Sequence, residues 1–242
     1  MRAFETEKTE VAEIDRSVYD IKDKVNAAFE VNSGLTAEIV EQISKEKHDP
    51  DWMREFRLKA LDIYNKASIP NWGPSLEGLD MRNIVTYVRP NTEMRGKWSE
   101  VPDDIKNTFE RLGIPQAERS SLAGVGAQYD SEVVYHNVKE EVAAQGVVYT
   151  DMESALTGPY ADMVKEHFMK CVPPTDHKFA ALHGAVWSGG SFVYVPAGVH
   201  VDIPLQSSFR LNAPGAGQFE HTLIIVDKGA YLHFIEGCSA PK

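Results

Sequence analysis

The chain has 242 residues, of which 43% are hydrophobic and 25% charged, so its composition is that of a globular protein with a sizeable core. Its formal net charge of −11, without any longer basic run, argues against a protein that coats nucleic acid. The first residues hold no apolar run typical of a secretion signal, and no segment approaches the length of a membrane span. Two cysteines without a CxxC pair fit neither a disulfide framework nor a self-contained cysteine metal site. We therefore expect a cytoplasmic protein with reduced thiols.

Charged residues are distributed unevenly, and this divides the chain. Only 9 of the 61 Asp, Glu, Lys and Arg residues lie between positions 171 and 242. The polar, acidic start lacks the apolar residues that a packed core needs. The sequence predicts three parts: a flexible acidic leader at 1–34, a mainly helical region at 35–170, and the start of a β-rich core at 171–242.

Capping residues and apolar spacing predict helices in the second part. Thr36 is placed as the N-cap of a helix that runs to Glu46, with Leu35 and Val40 as a hydrophobic staple across the cap. A second helix is predicted to begin at Asp49-Pro50, because proline suits the first turn. Its buried face is predicted to carry Met53, Phe56, Ala60 and Ile63.

The segment "LAGVGAQYDSEVVYHNVKEEVAAQG" predicts a glycine-bearing loop and then a helix with a valine stripe. The stripe consists of Val134, Val138 and Val142, and Gly146 ends it. A GxG before a helix can cradle a phosphate, but the preceding strand and the third glycine are missing here, so we favour a packing role.

Weaker signals flank this segment. Asn83–Val88 is predicted as a short strand, and Asp103–Leu112 as a helix that Gly113 and Pro115 end. Thr150 and Glu153 are predicted to form a capping box, and Gly158-Pro159 to open a further helix.

From Val172 onward the apolar residues recur with a period of two, which predicts strands throughout. The runs are "KFAALHGAVWS", "GGSFVYVP", "GVHVDIPLQ", "SFRLN", "EHTLIIVD" and "GAYLHFIEG". Two of them begin with glycine, a small residue and an aromatic, at Gly190 and Gly229, which indicates stacked β-solenoid coils rather than a hairpin barrel. A solenoid without a cap leaves an open edge, and we expect such an edge after the last run.

Cys238 follows Gly237 in the last of these runs and is the first candidate for chemistry, because a thiolate is the usual protein nucleophile toward sulfur. The neighbouring Glu236 is expected to raise the pKa of the thiol unless a cation offsets it. Arg210 is the candidate cation, and it shares one face of the "SFRLN" strand with Asn212. On spacing alone, a lone cysteine at a strand end is more often a small buried hydrophobe, and such an Arg–Asn pair is more often a solvated strand face.

Other residue patterns keep alternatives open. Cys171, at a helix end before two prolines, is interpreted as structural. His200, His221 and His233 suggest a cupin-like metal enzyme, but such sites use an HxH pair with a following glutamate, and Asp202 stands two residues after His200. A third interpretation is an incomplete β-solenoid that serves only as an interaction surface.

Five long motifs are more informative about function than residue spacing. They are "SSLAGVGAQYDSEVVYHNVKEE", "VPPTDHKFAALHGAVWSGGSFVYVP", "IPLQSSFRLN", "GQFEHTLII" and "EGCSAP". Together they closely resemble the SufB/SufD family of iron–sulfur cluster assembly scaffolds, on its SufB side. The N-terminal stretch "LTAEIVEQISKEKHDPDWMREFRLKAL" matches the family too, so the resemblance covers nearly the whole chain from about Leu35.

The resemblance implies an α+β fold: an N-terminal helical region, then the first coils of a right-handed parallel β-helix that is truncated here. It implies a scaffold rather than an enzyme, one that accepts persulfide sulfur and helps to build a transient iron–sulfur cluster. The implied partners are a SufD-like paralogue, a SufC-like ATPase, a cysteine desulfurase and a sulfur carrier. Cys238 matches the family's sulfur acceptor, while Arg210 and Asn212 match residues that line the onward route and that suit a sulfur anion.

One departure from the family concerns length. SufB-like chains are roughly twice as long, and the resemblance places their cluster ligands and their ATPase-docking segment beyond Lys242. We therefore expect an N-terminal half that keeps the sulfur-accepting cysteine, lacks most of the cluster site, and holds no metal of its own.

Overall fold

A computed structural model describes residues 17, 20, 22–23, 27–73, 75–112 and 121–241 of the chain. This described part holds seven α-helices: α1 (Ala37–Glu46), α2 (Asp51–Lys66), α3 (Asp103–Arg111), α4 (Glu140–Ala143), α5 (Met152–Thr157), α6 (Ala161–His167) and α7 (Lys178–Val186). It also holds nine strands: β1 (Ala27–Glu30), β2 (Val88–Pro90), β3 (Gly124–Tyr129), β4 (Glu132–Val138), β5 (Val148–Asp151), β6 (Ser191–Val195), β7 (His200–Arg210), β8 (Leu223–Val226) and β9 (Tyr231–Ser239). None of these helices is both long and apolar enough to cross a membrane.

The strands form three sheets, and among the described residues none of the sheets closes on itself. β1 pairs with β2, the second sheet has the order β4-β3-β7-β9, and the third has the order β5-β6-β8. The pairs β3–β7, β7–β9 and β6–β8 are parallel, whereas β3–β4 and β5–β6 are antiparallel. The predicted α+β class is therefore confirmed. Within the described part, β8 and β9 are edge strands of their sheets.

The first helix follows the prediction, whereas the second begins at Asp51 rather than at Asp49-Pro50 and has no side-chain cap, because Asp49 pairs with Arg57 instead. The Thr36 side chain accepts a hydrogen bond from the backbone N–H of Ile39, which caps α1, and Leu35 packs against the cluster that contains Val40. α2 buries Met53 and Ala60 as expected. The predicted helix stop at Gly113 and Pro115, and most of the predicted leader at 1–34, lie outside the described residues.

A buried arginine on α2 was not anticipated from the apolar spacing. Arg57 is fully buried, and its Nε donates to Asp49 Oδ2 at 2.6 Å. Its Nη1 donates to the backbone oxygen of Trp187 at 2.8 Å. The guanidinium thus joins α2 to the end of α7, because a buried cation needs a charged partner and further acceptors.

The predicted helix with a stripe of Val134, Val138 and Val142 is wrong. β3 and β4 form an antiparallel hairpin there, and only Val142 lies in a helix, the short α4. The connection is two residues long, and Asp130 has φ +51°, a left-handed conformation that Asp adopts more readily than most residues. Valines four apart fit one face of a helix and one face of a strand equally well, so their spacing could not distinguish the two structures.

The glycines of that segment serve packing, as the sequence favoured. A Cβ on Gly124 would lie 2.8 Å from Cδ1 of Tyr149, and one on Gly126 would lie 2.8 Å from the hydroxyl of the same tyrosine. The tyrosine ring therefore lies directly on the backbone of β3, where any side chain would collide with it.

The prediction of strands throughout 171–242 is wrong at its first run, which forms α7. His177 caps this helix, since its Nδ1 accepts from the backbone N–H groups of Phe179 and Ala180. α7 packs on α2, where a Cβ on Gly184 would lie 3.1 Å from the Cβ of Ala60. A helix buried on nearly all sides shows no polar face, so its sequence lacks the helical period.

Two boundaries also differ from the prediction. The N-cap of α5 is Asp151, whose Oδ1 accepts from the backbone N–H of Ser154, and not Thr150. The strand predicted at 83–88 begins only at Val88, because Met81–Asn83 forms a 3-10 turn. In both places a neighbouring polar side chain provides the cap.

A buried lysine joins the helical part to the sheets. Lys47, just after α1, donates to Glu132 of β4 at 2.9 Å and lies 2.7 Å from Glu153 of α5. Tyr87 donates to Glu132 Oε1, and the backbone N–H of Gly189 donates to Glu153 Oε1. These contacts link five separate segments of the chain around one ammonium group.

Lys47 and the two glutamates of this cluster stabilise each other's charged forms and offset the cost of burial. Burial alone disfavours the charged lysine, but the charges of Glu153 and Glu132 outweigh it and raise the pKa of Lys47. Burial likewise disfavours ionised Glu153, but Lys47 outweighs it and lowers the pKa of that carboxyl. The cluster therefore stays charged at neutral pH.

The α1 cap gives a first test. Thr36→Ala removes the oxygen that accepts the Ile39 N–H, and we expect it to lower the free energy of unfolding by about 1 kcal/mol. Urea denaturation measures this change. Thr36→Ser keeps the hydroxyl and is expected to stay close to the parent chain, whereas an equal loss in both variants would point to the methyl group instead.

The lysine cluster gives a second test. Lys47→Met leaves two carboxylates without their cation, and we expect it to lower the free energy of unfolding by about 3–5 kcal/mol. Lys66→Met is the matched control, because Lys66 pairs with Asp62 at an exposed site, and it is expected to cost less than about 1 kcal/mol. Similar losses in the two variants would contradict the role given to the cluster.

The pH dependence of these variants is a third test. The lowered pKa of Glu153 means that its contribution to stability is fully present above the unfolded value of about 4.5 and is lost as the pH falls through the lower folded value. In Lys47→Met the partly buried Glu153 carboxyl loses the cation that lowers its pKa, so its protonated form becomes favoured on folding. We therefore expect the deficit of this variant, measured by urea denaturation, to shrink as the pH falls from about 8 to about 5. A constant deficit across this range would be inconsistent with buried carboxylates as its cause.

Candidate functional site

Arg210 and Asn212 lie at the corner where β7 ends. Arg210 is the last residue of the strand and is 0% exposed, and Asn212 follows it at 7% exposed. The Oδ1 of Asp130, in the β3–β4 turn, accepts from the backbone N–H groups of Asn212 and Ala213 at 2.6 and 2.9 Å. The backbone N–H of Asp130 in turn donates to the Arg210 carbonyl at 2.8 Å. The solvated strand face that spacing alone favours is therefore wrong, since both residues lie in a hydrogen-bonded, buried corner.

Asp23, in the N-terminal stretch, contacts this corner. Its backbone N–H donates to Asn212 Oδ1 at 3.0 Å, and its carbonyl accepts from Asn212 Nδ2 at 3.3 Å. Its carboxylate Oδ2 accepts from the hydroxyls of Thr108 and Tyr129 at 2.5 and 2.9 Å. Sequence reasoning missed Asp23, and no local signal could find it, because 189 residues separate it from Asn212.

Carboxylates surround the buried guanidinium. Burial lowers the pKa of Arg210, and electrostatic interactions with Asp23, Tyr129, Asp130 and Asp20 oppose that effect. Burial also raises the pKa of Asp130, whereas its two backbone donors and Arg210 favour its ionised form. The corner is a polar network inside the fold, in which a charge on one member depends on the others.

Cys238 lies on β9, which pairs in parallel with β7. The register sets Cys238 opposite Phe209 and Ser239 opposite Arg210. Paired residues on neighbouring strands share a face, and successive residues alternate, so Cys238 and Arg210 lie on opposite faces of the sheet. The expectation that the guanidinium lies beside the thiol is therefore wrong.

The surroundings of Cys238 are acidic. The thiol is exposed at the surface of the described chain. Partial burial raises its pKa, and the charges of Glu220 and Glu236 raise it further. Glu236 is itself held by the Thr222 hydroxyl, which donates to it at 2.9 Å. The sequence anticipated the effect of Glu236 but not that of Glu220.

The three histidines of the cupin-like alternative do not converge. His200 and His233 lie exposed on β7 and β9, whereas His221 contacts a different residue, His183, with Nδ1 to Nε2 at 2.8 Å. Burial, and next the charge of Arg57, lower the pKa of His183 to about 4. Among the described residues no group of three His, Cys, Asp or Glu side chains could hold a metal ion. This arrangement does not support the metal-enzyme alternative.

Cys171 is exposed just after α6. It lines a cavity of about 440 Å³ together with His183, His221 and apolar side chains. Cys171 is therefore not a buried core residue, and its predicted structural role stays a prediction.

Comparison with known proteins identifies the family of the chain. A family model for the SufBD protein N-terminal region matches residues 37–207. The chain is 53% identical over 223 residues to the iron–sulfur cluster assembly protein SufB of Bacillus subtilis, an alignment that covers 92% of this chain and 48% of the relative.

Other relatives agree. An iron–sulfur cluster assembly SufBD family protein of Mycobacterium tuberculosis is 49% identical over 234 residues, with 96% of this chain and 28% of the relative covered. A SufBD family protein of Staphylococcus aureus is 49% identical over 223 residues, an alignment that covers 92% of this chain and 48% of the relative. The chain spans about half, or less, of the length of these curated relatives. Because the family model matches most of its residues, the chain belongs to the SufBD family of iron–sulfur cluster assembly proteins.

Proposed function

We propose that the chain acts in iron–sulfur cluster assembly as a scaffold that accepts sulfur at Cys238. The observation that carries this proposal is the exposed thiol at the end of β9, in a chain whose relatives are named as iron–sulfur cluster assembly proteins. A sulfur donor can reach this thiol from solvent, which it could not do if the cysteine were a buried hydrophobe.

The transfer is a thiol–persulfide exchange. The Cys238 thiolate attacks the outer sulfur of a donor persulfide, a new S–S bond forms on Cys238, and the donor's S–S bond breaks as its thiolate leaves. Oxidation levels are conserved, so no external oxidant or reductant enters the step. The raised pKa of Cys238 leaves little thiolate at neutral pH, and the donor protein must supply a cation that offsets Glu220 and Glu236.

Arg210 and Asn212 act after this step in the proposal, because they lie on the other face of the sheet from Cys238. Their buried corner suits an anionic sulfur species, since a guanidinium and an amide bind anions most strongly where water is excluded. Their role is passage of the sulfur rather than activation of the thiol.

The proposal extends to fold and partners. β8 pairs with β6, and β9 with β7, in parallel, so two successive turns of the chain lie side by side, as in the first coils of a right-handed β-helix. The scaffold works in the cytoplasm with a SufD-like paralogue, a SufC-like ATPase, a cysteine desulfurase and a sulfur carrier. The cluster is its transient product rather than a resident cofactor.

Sulfur labelling tests the proposal. With a cysteine desulfurase, its sulfur carrier and radiolabelled cysteine, we expect label on Cys238, read by peptide mapping, and its loss in Cys238→Ala. Cys171→Ala is the matched control, because Cys171 is the other exposed cysteine, and it is expected to keep the label. Equal label on both cysteines, or none on either, would remove the site.

A second measurement tests the acidic surroundings. Glu236→Gln removes a charge that raises the Cys238 pKa, so we expect alkylation of Cys238 by iodoacetamide at neutral pH to become about threefold faster. The rate at Cys171 in the same chain is the internal control and should not change. Glu141→Gln, a charge change at an exposed residue of α4, should leave both rates unaltered. No acceleration at Cys238 would show that the carboxylate does not govern the thiol.

A further inference from the structure

We propose that Arg210 and Asn212 belong to an anion-binding site that the chain's own Asp23 fills. A small anion that carries sulfur reaches Arg210 only after Asp23 has left. The inference rests on the proposed function for the part that Arg210 and Asn212 take in sulfur passage, and it adds what occupies and closes their site.

The Asp23 carboxylate is bound as a ligand would be. Its Oδ2 receives hydroxyl hydrogen bonds from Thr108 of α3 and Tyr129 of β3, two elements far from Asp23 in sequence. Both donors are almost fully buried, at 1% and 0% exposed. Hydroxyls that converge on one oxygen from separate elements form a receptor for an anionic oxygen, because buried donors bind charged acceptors most strongly.

The Asn212 side chain binds the main chain of the same residue. Its Oδ1 accepts from the Asp23 N–H and its Nδ2 donates to the Asp23 carbonyl. The amide thus binds the backbone N–H and C=O of one residue with its acceptor and one of its donors. While Asp23 is in place, these two groups of Asn212 are engaged.

The guanidinium completes the site by charge. Arg210 is fully buried and is the register partner of Tyr129, whose hydroxyl donates to the Asp23 carboxylate, so Asp23 and Arg210 meet at the same corner. The charges of Asp23, Asp130 and Asp20 all favour the charged guanidinium. Asp130 is held by two backbone N–H groups of the β7 corner, so it is a permanent part of the fold. The donors to Asp23, in contrast, are side chains and none is its own neighbour in sequence, so Asp23 is the exchangeable anion of the pair.

Accessibility of Arg210 tests the inference. Phenylglyoxal, which modifies arginine, is applied to the 242-residue chain and the rate at Arg210 is read by mass spectrometry. We expect slow modification in the parent chain and a rate roughly tenfold higher or more in Asp23→Ala. Asp104→Ala is the control, since Asp104 is an exposed acid on α3 and its loss changes the net charge equally.

Anion protection is the second arm. Thiosulfate is the probe, and we expect it to slow the modification of Arg210 in Asp23→Ala but to have no effect in the parent chain. Sulfate tests whether charge alone is sufficient, and protection by either anion supports the site. An unchanged rate at Arg210 in folded Asp23→Ala, or no protection by either anion in that variant, overturns the inference.

Conservative variants guard against misfolding. Tyr129→Phe and Thr108→Val each remove one hydroxyl from the Asp23 carboxylate and keep the side-chain shape. Each is expected to raise the Arg210 rate by a smaller factor, and unchanged rates in both, with thermal unfolding like that of the parent, overturn the inference even if Asp23→Ala does not fold. None of these measurements reads Cys238 or needs a desulfurase, so failure of sulfur transfer and failure of the Asp23 site are told apart.

Discussion

The parallel register of β3, β7 and β9 is the constraint on which the site depends. In this register Tyr129, Arg210 and Ser239 share one face, while Phe209 and Cys238 share the other. Because side chains alternate along a strand, a slip by one residue would exchange the two faces. The register therefore puts the guanidinium and the thiol on opposite faces of the sheet. The exposure of the thiol comes from the position of β9 at the edge of its sheet within the described part, since Phe209 on the same face is buried.

Buried ions connect the helical part to the sheets. Lys47 lies between Glu132 and Glu153, and Arg57 pairs with Asp49 while it reaches the end of α7. A charge in the interior is tolerated only where partners and hydrogen bonds offset the loss of water. Such groups need partners from several segments at once, so Lys47 fixes how the end of α1 meets β4 and α5, and Arg57 fixes how α2 meets the end of α7.

In the proposed function, neither Cys238 nor the corner at Arg210 is ready to handle sulfur in the isolated chain, and the physical reasons differ. Partial burial and the charges of Glu220 and Glu236 raise the pKa of the Cys238 thiol, which favours the protonated form and limits its oxidation. The Arg210 corner is closed by contacts from a distant part of the same chain. A scaffold that combines reactive sulfur with iron gains from both, because each step then waits for a change in the surroundings of its residue.

The sequence by itself determined the Thr36 cap of α1, the class of the fold and the residues that match a family motif. These depend on neighbours within a few positions, as with Thr36 and Ile39, or on long identical stretches. It could not decide α7 or the hairpin at Asp130, because a wholly buried helix has no polar face and a valine spacing of four fits both structures. Only the tertiary structure put Cys238 and Arg210 on opposite faces and brought Asp23 to Asn212, since a strand register and a contact across 189 residues leave no local trace in the chain.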